Sequence, residues 1–470
     1  MSAESRDNAR SSGSPDGALR PEPRTIAVDY LARVEGEGSL TLVIEDGRAK
    51  EARLSIFEPP RFFEAFLRGR GFAEAPDITS RICGICPVAY ITSACRAMED
   101  ALGIELGPEL RALRRLLYCG EWIESHALHV FLLHAPDFLG YPDAVAMARD
   151  HRDWVAKGLA IKKAGNAVVA LLGGREIHPV NTRVGGFYSA PSRADLEGLL
   201  PELRAGSERT RACLSWMATL PCPELERPYE FVALRSDDVY AIAEGRLVSS
   251  GGLDIEVRDY DVHFVEEHVS WSTALRSRIR GSGRRAPAGD PEPRASEHGS
   301  GSYLCGPLAR FNLSFDRLLP EVQDAARAAG LAIPCRNPLR SLLVRLVEIL
   351  QAFEESIRII EAYALPPAPF VAPRALRAGT GYGGSEAPRG FLYHRYTLDA
   401  EGTILDAKIV PPTSQNQLSI EEDLCALSPS LASLPVREAT ARAEQAVRNH
   451  DPCISCATHF LTLRVEEAPR

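Results

Sequence analysis

Arg81-Ile82-Cys83-Gly84-Ile85-Cys86-Pro87, towards the N-terminal end of the chain, and Asp451-Pro452-Cys453-Ile454-Ser455-Cys456-Ala457-Thr458-His459, towards its C-terminal end, carry the same spacing of two cysteines. Two intervening residues let both sulfurs face one metal from a tight turn. Gly84 permits the turn, and Pro87 suits the first position of a helix. A helix N-terminus favours thiolate over thiol, and four thiolates suit zinc, iron–sulfur or nickel. Structural zinc pairs usually lie tens of residues apart, whereas here almost the whole chain separates the pairs. A single site made from both requires the two ends of the chain to meet inside the fold. On the cysteines alone a structural zinc site stays open. Redox dithiols are the other alternative, although no thioredoxin-like pattern surrounds them.

The remaining composition narrows the classes. With 470 residues, 45% of them hydrophobic, the chain suffices for one large domain or two to three ordinary ones. The formal net charge is −9 and no basic patch dominates, which argues against a nucleic-acid partner. No apolar run approaches the roughly 20 residues needed to cross a bilayer. Residues 1–24 are polar and rich in Ser, Gly, Pro and Arg without an apolar signal core, and read as a disordered tail. Eleven cysteines without an export signal point to a reducing, cytoplasmic setting. Cys95, Cys119, Cys213, Cys222, Cys305, Cys335 and Cys425 stand singly and read as small buried apolar residues.

Thr25–Gly47 alternates and ends in Asp46-Gly47, which predicts a hairpin. Phe62–Arg68 and Ile91–Leu102 read as helices, and a longer helix is expected over about Glu109–Leu133, ended by Pro136. Leu339–Leu365 has the strongest helical period, opened by Asn337-Pro338 as cap and first position. Tyr393–Val410 reads as strands and Glu438–His450 as a helix leading into the second cysteine pair. Residues 277–302, rich in Gly, Arg, Pro and Ser, read as an exposed loop or insertion.

Further motifs accompany the cysteines in a fixed order: Arg33-Val34-Glu35-Gly36, Glu64-x-x-Leu67-x-Gly69-Arg70, Gly173-Gly174-Arg175-x-x-His178-Pro179 and Glu386-Ala387-Pro388-Arg389-Gly390. With them the chain resembles the NiFe hydrogenase large-subunit family over nearly its full length. Glu58-Pro59-Pro60-Arg61-Phe62-Phe63-Glu64 and Val410-Pro411-Pro412-Thr413-Ser414-Gln415-Asn416 are similar to the cytoplasmic, NADP-linked bidirectional branch. The resemblance implies an α+β, mainly α fold, with a long-helix bundle core and peripheral small sheets in one domain over 25–459. It implies reversible heterolytic cleavage of H2 at a nickel–iron centre whose iron carries carbon monoxide and cyanide. Cys83 and Cys453 would be terminal nickel ligands, and Cys86 and Cys456 bridges to iron.

The same resemblance assigns Glu35 to proton transfer, where burial beside the metal would bring a carboxyl towards neutral pKa; taken alone, Glu35 reads as a surface glutamate, as Glu37 does. Arg389, fixed by Pro388, would lie over the open face of the metals, oriented by Asp100 or Asp451; a plain structural ion pair is the alternative. Glu64 and His459 match ligands of a structural magnesium or iron ion, with the Gln417 backbone as a third ligand. His178 matches a histidine facing the small subunit's cluster, or is a core histidine. Many relatives have histidine where this chain has Tyr90, which can donate a hydrogen bond to sulfur but not ionise as imidazole does. His126, His129 and His134 read as packing residues. An endopeptidase cut after His459 would remove residues 460–470.

The chain lacks further cysteine clusters and a Gly-x-Gly-x-x-Gly after a strand. The resemblance therefore implies an iron–sulfur small subunit, with flavin/NAD(P) diaphorase and ferredoxin-like subunits. The rival readings are a hydrogen sensor, or a non-catalytic module related to the respiratory complex I subunit or stapled by zinc.

Overall fold

Every second residue of β2 (Gly38–Glu45) is buried, with Leu40, Leu42 and Ile44 facing inward. This is the period of a strand with one face on a core. β1 (Arg24–Val28) pairs antiparallel along one edge of β2, and β3 (Arg48–Ile56) along the other. Asp46 and Gly47 both have positive φ, 51° and 75°, as a two-residue hairpin turn requires. The turn therefore joins β2 to β3, whereas the sequence placed it at the end of a hairpin over Thr25–Gly47.

The computed structural model describes residues 24–280 and 301–458. The expected tail, apart from Arg24, lies outside the described residues, as do His459 and residues 460–470. So does most of the expected loop over 277–302; at its margins, however, Ser277 is buried in a strand and Ile279 N–H donates to the Gly301 carbonyl at 2.8 Å.

A short helix, α1 (Phe63–Leu67), leads to α2 (Pro87–Leu102), which begins at Pro87 as expected. The centre is built from long helices: α3 (Pro108–Ala127), α4 (Arg152–Gly173), α5 (Leu200–Met217) and α6 (Ser341–Glu361). α3 packs on α4, and α6 packs on both α3 and α5. The expected helix over Glu109–Leu133 changes character at Leu128, where one π-helical stretch, Leu128–His134, follows. Pro136 then sits in the first turn of Ala135–Leu139, where a missing N–H costs nothing.

The strands β4 (Gly379–Ala387), β5 (Gly390–Leu398) and β6 (Ile404–Val410) form a second three-stranded antiparallel sheet against α2. A Cβ at Gly381 or Gly383 would strike the carbonyls of Ala97 and Ser93 on α2. The glycines thus let helix and sheet backbones touch. Two more helices, α7 (Pro412–Ala432) and α8 (Val436–Asn449), close the chain onto β3 and β1. Among the described residues no helix is long and apolar enough to cross a membrane.

Candidate metal centre

The ends of the chain do meet. Glu35 and Cys453 form an isolated parallel bridge, and Ile454 N–H donates to the Glu35 carbonyl at 2.9 Å. Gly36, at φ 87°, lies so close to Glu58, Ile454 and the Ser455 amide that no Cβ fits. Cys453 N–H donates to Thr413 Oγ1 at 3.0 Å, anchoring the second pair on the start of α7.

Cys83 and Cys86 lie in the turn before α2, and Cys453 and Cys456 in the turn after α8. All four are buried, and their sulfurs lie within 4.8 Å of one another. Cys83 Sγ is 3.4 Å from Cys453 Sγ, and Cys86 Sγ is 4.0 Å from Cys456 Sγ. The amides of Ile85 and Cys86 both donate to Cys83 Sγ at 3.3 Å. Hydrogen bonds from Cys453, Cys456 and Cys86 pull the Cys83 thiol well below the ordinary range, whereas burial and then the neighbouring sulfurs push Cys453 well above it. Protons alone therefore leave the four sulfurs unequally charged. A cation at their centre would let all four ionise, so the donor set fits a thiolate-bound metal. Among the described residues no other group of three or more His, Cys, Asp or Glu converges in this way.

Glu35 bonds into this cluster, and Arg389 lies close enough to feel its charge. Glu35 Oε2 accepts from Cys453 Sγ and from the Ser455 amide, each at 3.1 Å. Arg389 is buried, its Nε donating to the Asp451 carbonyl at 2.7 Å and its Nη2 to Asp451 Oδ1 at 3.1 Å. Burial opposes its charge, but Asp451 and then Cys453, Cys86 and Cys83 hold its pKa well above the ordinary value. Asp451 itself sits at φ 52°, Arg33 at 60° and His178 at 51°, left-handed conformations of the kind that collect at functional sites.

Asp100, the other candidate for orienting Arg389, does not reach it. It lies on a surface groove, 3.4 Å from Arg258, and accepts from the Tyr382 amide at 3.0 Å. Its place at the far end of α2, more than three turns beyond Cys86, is the reason. Tyr90 is one turn into α2, buried, its ring 5.7 Å from that of His394. Burial and then the charges on Cys456, Cys86 and Cys453 push its phenol well above the ordinary range, so it stays protonated. His178 is half-buried and its Nδ1 meets the Ser80 carbonyl at 2.7 Å, three residues before Cys83.

Glu64 opens α1 and accepts from the Ile409 amide at 2.7 Å. Burial pushes its carboxyl up to about 7. Gln417 lies inside α7, and its side-chain amide donates to the Leu275 carbonyl at 3.3 Å. Its partner His459 lies outside the described residues.

His126, His129 and His134 are buried on polar partners, Glu348, the Arg448 carbonyl and Asp137 respectively, as packing residues are. Thr413 was legible only as part of the Val410–Asn416 motif, without a role, and nothing in the sequence pointed to Glu121. Glu121, from α3, accepts the Val88 and Ala89 amides at 2.6 and 3.0 Å and so caps the helix that follows Cys86. Ser455, inside the second cysteine motif, was legible only as a spacer.

Residues 61–157 and 326–459 match the nickel-dependent hydrogenase family. Sulfhydrogenase 2 subunit alpha of Pyrococcus furiosus is 34% identical over 440 residues, covering 93% of this chain and 100% of the relative. The NAD-reducing hydrogenase HoxS subunit beta of Cupriavidus necator is 27% identical, covering 93% and 95%. A crystal structure of an NAD+-reducing [NiFe]-hydrogenase in the H2-reduced state superposes with a TM-score of 0.82 at 29% identity, over 93% of this chain and 99% of that one. With its four converging cysteines, the chain belongs to the nickel-dependent hydrogenase family and is the catalytic large subunit of a NiFe hydrogenase. Large subunits of this kind work in multi-subunit enzymes.

Proposed function

We propose that this subunit belongs to a cytoplasmic complex that couples H2 to NAD(P), its electrons leaving through an iron–sulfur small subunit and then flavin and ferredoxin-like subunits. The likeness to NAD-reducing enzymes supports the acceptor. The four cysteines are the one converging metal-ligand cluster among the described residues, which is why electrons need another chain.

The nickel–iron pair, with carbon monoxide and cyanide on iron, supplies the splitting of H2 into protons and electrons. Cys83 and Cys453 would hold the nickel, and Cys86 and Cys456 would hold nickel and iron together. Glu35 takes the proton at Oε2, the oxygen already shared with Cys453 and the Ser455 amide. Arg389 keeps its charge over the open face because Asp451 and the sulfurs favour the guanidinium form. The buried Tyr90 hydroxyl, which has no hydrogen-bond partner among the described residues, would donate to sulfur, and because burial keeps it protonated it does not serve as a base. Glu64 and His459 would hold a magnesium or iron ion, and His178 would face the small subunit. An endopeptidase trims residues after His459.

The contact of Glu35 with Cys453 inside the four-cysteine cluster carries this reading. Its test is the purified complex: nickel and iron content, infrared bands of carbon monoxide and cyanide, and H2-dependent reduction of NAD+ and NADP+. Zinc without those bands refutes the nickel–iron centre. Bands without reduction of either nucleotide refute the acceptor alone.

A further inference from the structure

Arg389 occupies an unusual place for a residue held at a metal centre. Ala387 pairs with Gly390, so Pro388 and Arg389 are the two-residue tip of the β4–β5 hairpin. Hairpin tips ordinarily lie in solvent and move. This one is buried, and its path is fixed by a second arginine.

Arg310, on the helix Pro307–Ser314, is only 1% exposed, and all five of its N–H donors have acceptors. Nε and Nη2 grip the two oxygens of Glu348 at 2.8 and 2.7 Å. Nη1 reaches Glu386 Oε2 at 3.0 Å and the Ala387 carbonyl at 2.9 Å, while Nη2 also reaches the Pro388 carbonyl at 3.1 Å. Trp122, whose ring lies 4.6 Å under the guanidinium, donates from Nε1 to the Glu386 carbonyl at 2.8 Å. Three successive carbonyls leading to Arg389 are thus each held by a buried donor. Glu348 is itself fixed by Tyr240 and His126, and Glu386 by the Leu234 amide. A planar fork is needed to serve carboxylates and carbonyls in one plane; a lysine ammonium cannot match that geometry.

We propose that Arg310 is the positioning residue for Arg389: it bolts the hairpin tip so that the Arg389 guanidinium stays over the cysteine cluster. Arg310 touches none of the four cysteines through any of its five donors and acts through Arg389. The proposal rests on the reading of Arg389 given above.

The test is a double-mutant cycle in the assembled complex, with Arg310→Lys, Arg389→Lys and the pair, each normalised to nickel content. Displacing the tip by about an ångström lowers H2 turnover in Arg310→Lys by about 100-fold, with the KM for H2 little changed. In the Arg389→Lys background the same change costs less than about twofold, because its route of action is already gone. The infrared bands of the centre move in the same direction in both single variants. Full turnover in Arg310→Lys, or losses that multiply in the pair, overturns the proposal. Where Arg310→Lys fails to accumulate, Glu386→Gln keeps the shape and removes one charged acceptor; a partial loss that vanishes with Arg389→Lys supports the proposal, and one that multiplies refutes it. Full turnover in Arg389→Lys alone sinks the reading of Arg389, separately from that of Arg310.

Discussion

Asp451 holds Arg389 at two points, through its backbone carbonyl at 2.7 Å and its carboxylate at 3.1 Å. The same residue, in a left-handed conformation, begins the turn that carries Cys453 and Cys456. Orientation of the arginine and placement of two ligands therefore share one residue. Asp is among the few side chains that adopt this backbone readily, so both duties favour it.

Asp451→Asn keeps the backbone preference and the carbonyl acceptor but removes the charge. We expect H2 turnover to fall about 10-fold, with metal content near normal. Asp451→Ala also loses the side-chain acceptor and strains the backbone, and turnover should fall about 100-fold, as for a misplaced catalytic group. Rates per nickel atom decide this; undiminished turnover in the alanine variant means that Asp451 does not orient Arg389.

Glu35→Gln preserves size and the bond from the Ser455 amide but cannot take up a proton. Exchange between H2 and D2O, and turnover with it, should fall by about 100-fold or more, while nickel binding persists. Glu37→Gln, two residues on and exposed, should leave both rates unchanged. Normal exchange in Glu35→Gln would show that protons leave by another route.

How far the sequence carried the structure depends on which signal each segment bears. The cysteine motifs were legible because their spacing is short, whereas Glu35 and Arg389 stood out only through the family resemblance. The helix α6 was legible through its apolar period. β4 was not: its glycines, which remove the usual strand signal, are there to admit the carbonyls of Ala97 and Ser93. α7 was hidden as well, because its first turns are buried polar residues that carry no apolar stripe, and Thr413, Gln415, Asn416 and Gln417 among them bond distant backbone. The Asp100 assignment failed because sequence gives no direction along α2. Arg310 and Glu121 act across more than thirty residues of chain on backbone groups, and no pattern announces such bonds.

Asp137 ties the two ends of the chain to the middle. Its carboxylate meets Arg33 at 2.5 Å, two residues before Glu35, and Arg448 at 2.9 Å, shortly before Asp451. Burial opposes its charge, yet His134 and Arg448 outweigh it and hold the carboxyl below the usual carboxylate range. A depressed acid stabilises the fold above its unfolded pKa of about 4, and that contribution disappears as pH falls below it. Asp137→Asn leaves the buried Arg448 with only the longer pair to Glu444, at 3.7 Å, and should cost about 3 kcal/mol at neutral pH. Thermal midpoints against pH should show a lower plateau for the variant and a smaller decline below pH 4. Equal midpoints at pH 7 would mean that this junction adds nothing.

The carboxyl of Glu64 provides the last test, because protons and a divalent ion compete for it. Its pKa is raised from 4.5 to about 7, chiefly by burial. In the metal-free chain the folded state therefore keeps a proton that the unfolded state releases. The stability this confers is complete below about pH 4.5 and is lost as pH rises towards 7. A bound magnesium ion replaces that proton and needs the ionised form. Magnesium should accordingly raise the thermal midpoint of the complex more at pH 8 than at pH 6. Glu64→Gln should abolish the magnesium effect at both pH values and flatten the metal-free pH dependence between 4.5 and 7. A magnesium effect of equal size at pH 6 and 8, or one that survives Glu64→Gln, would place the ion elsewhere.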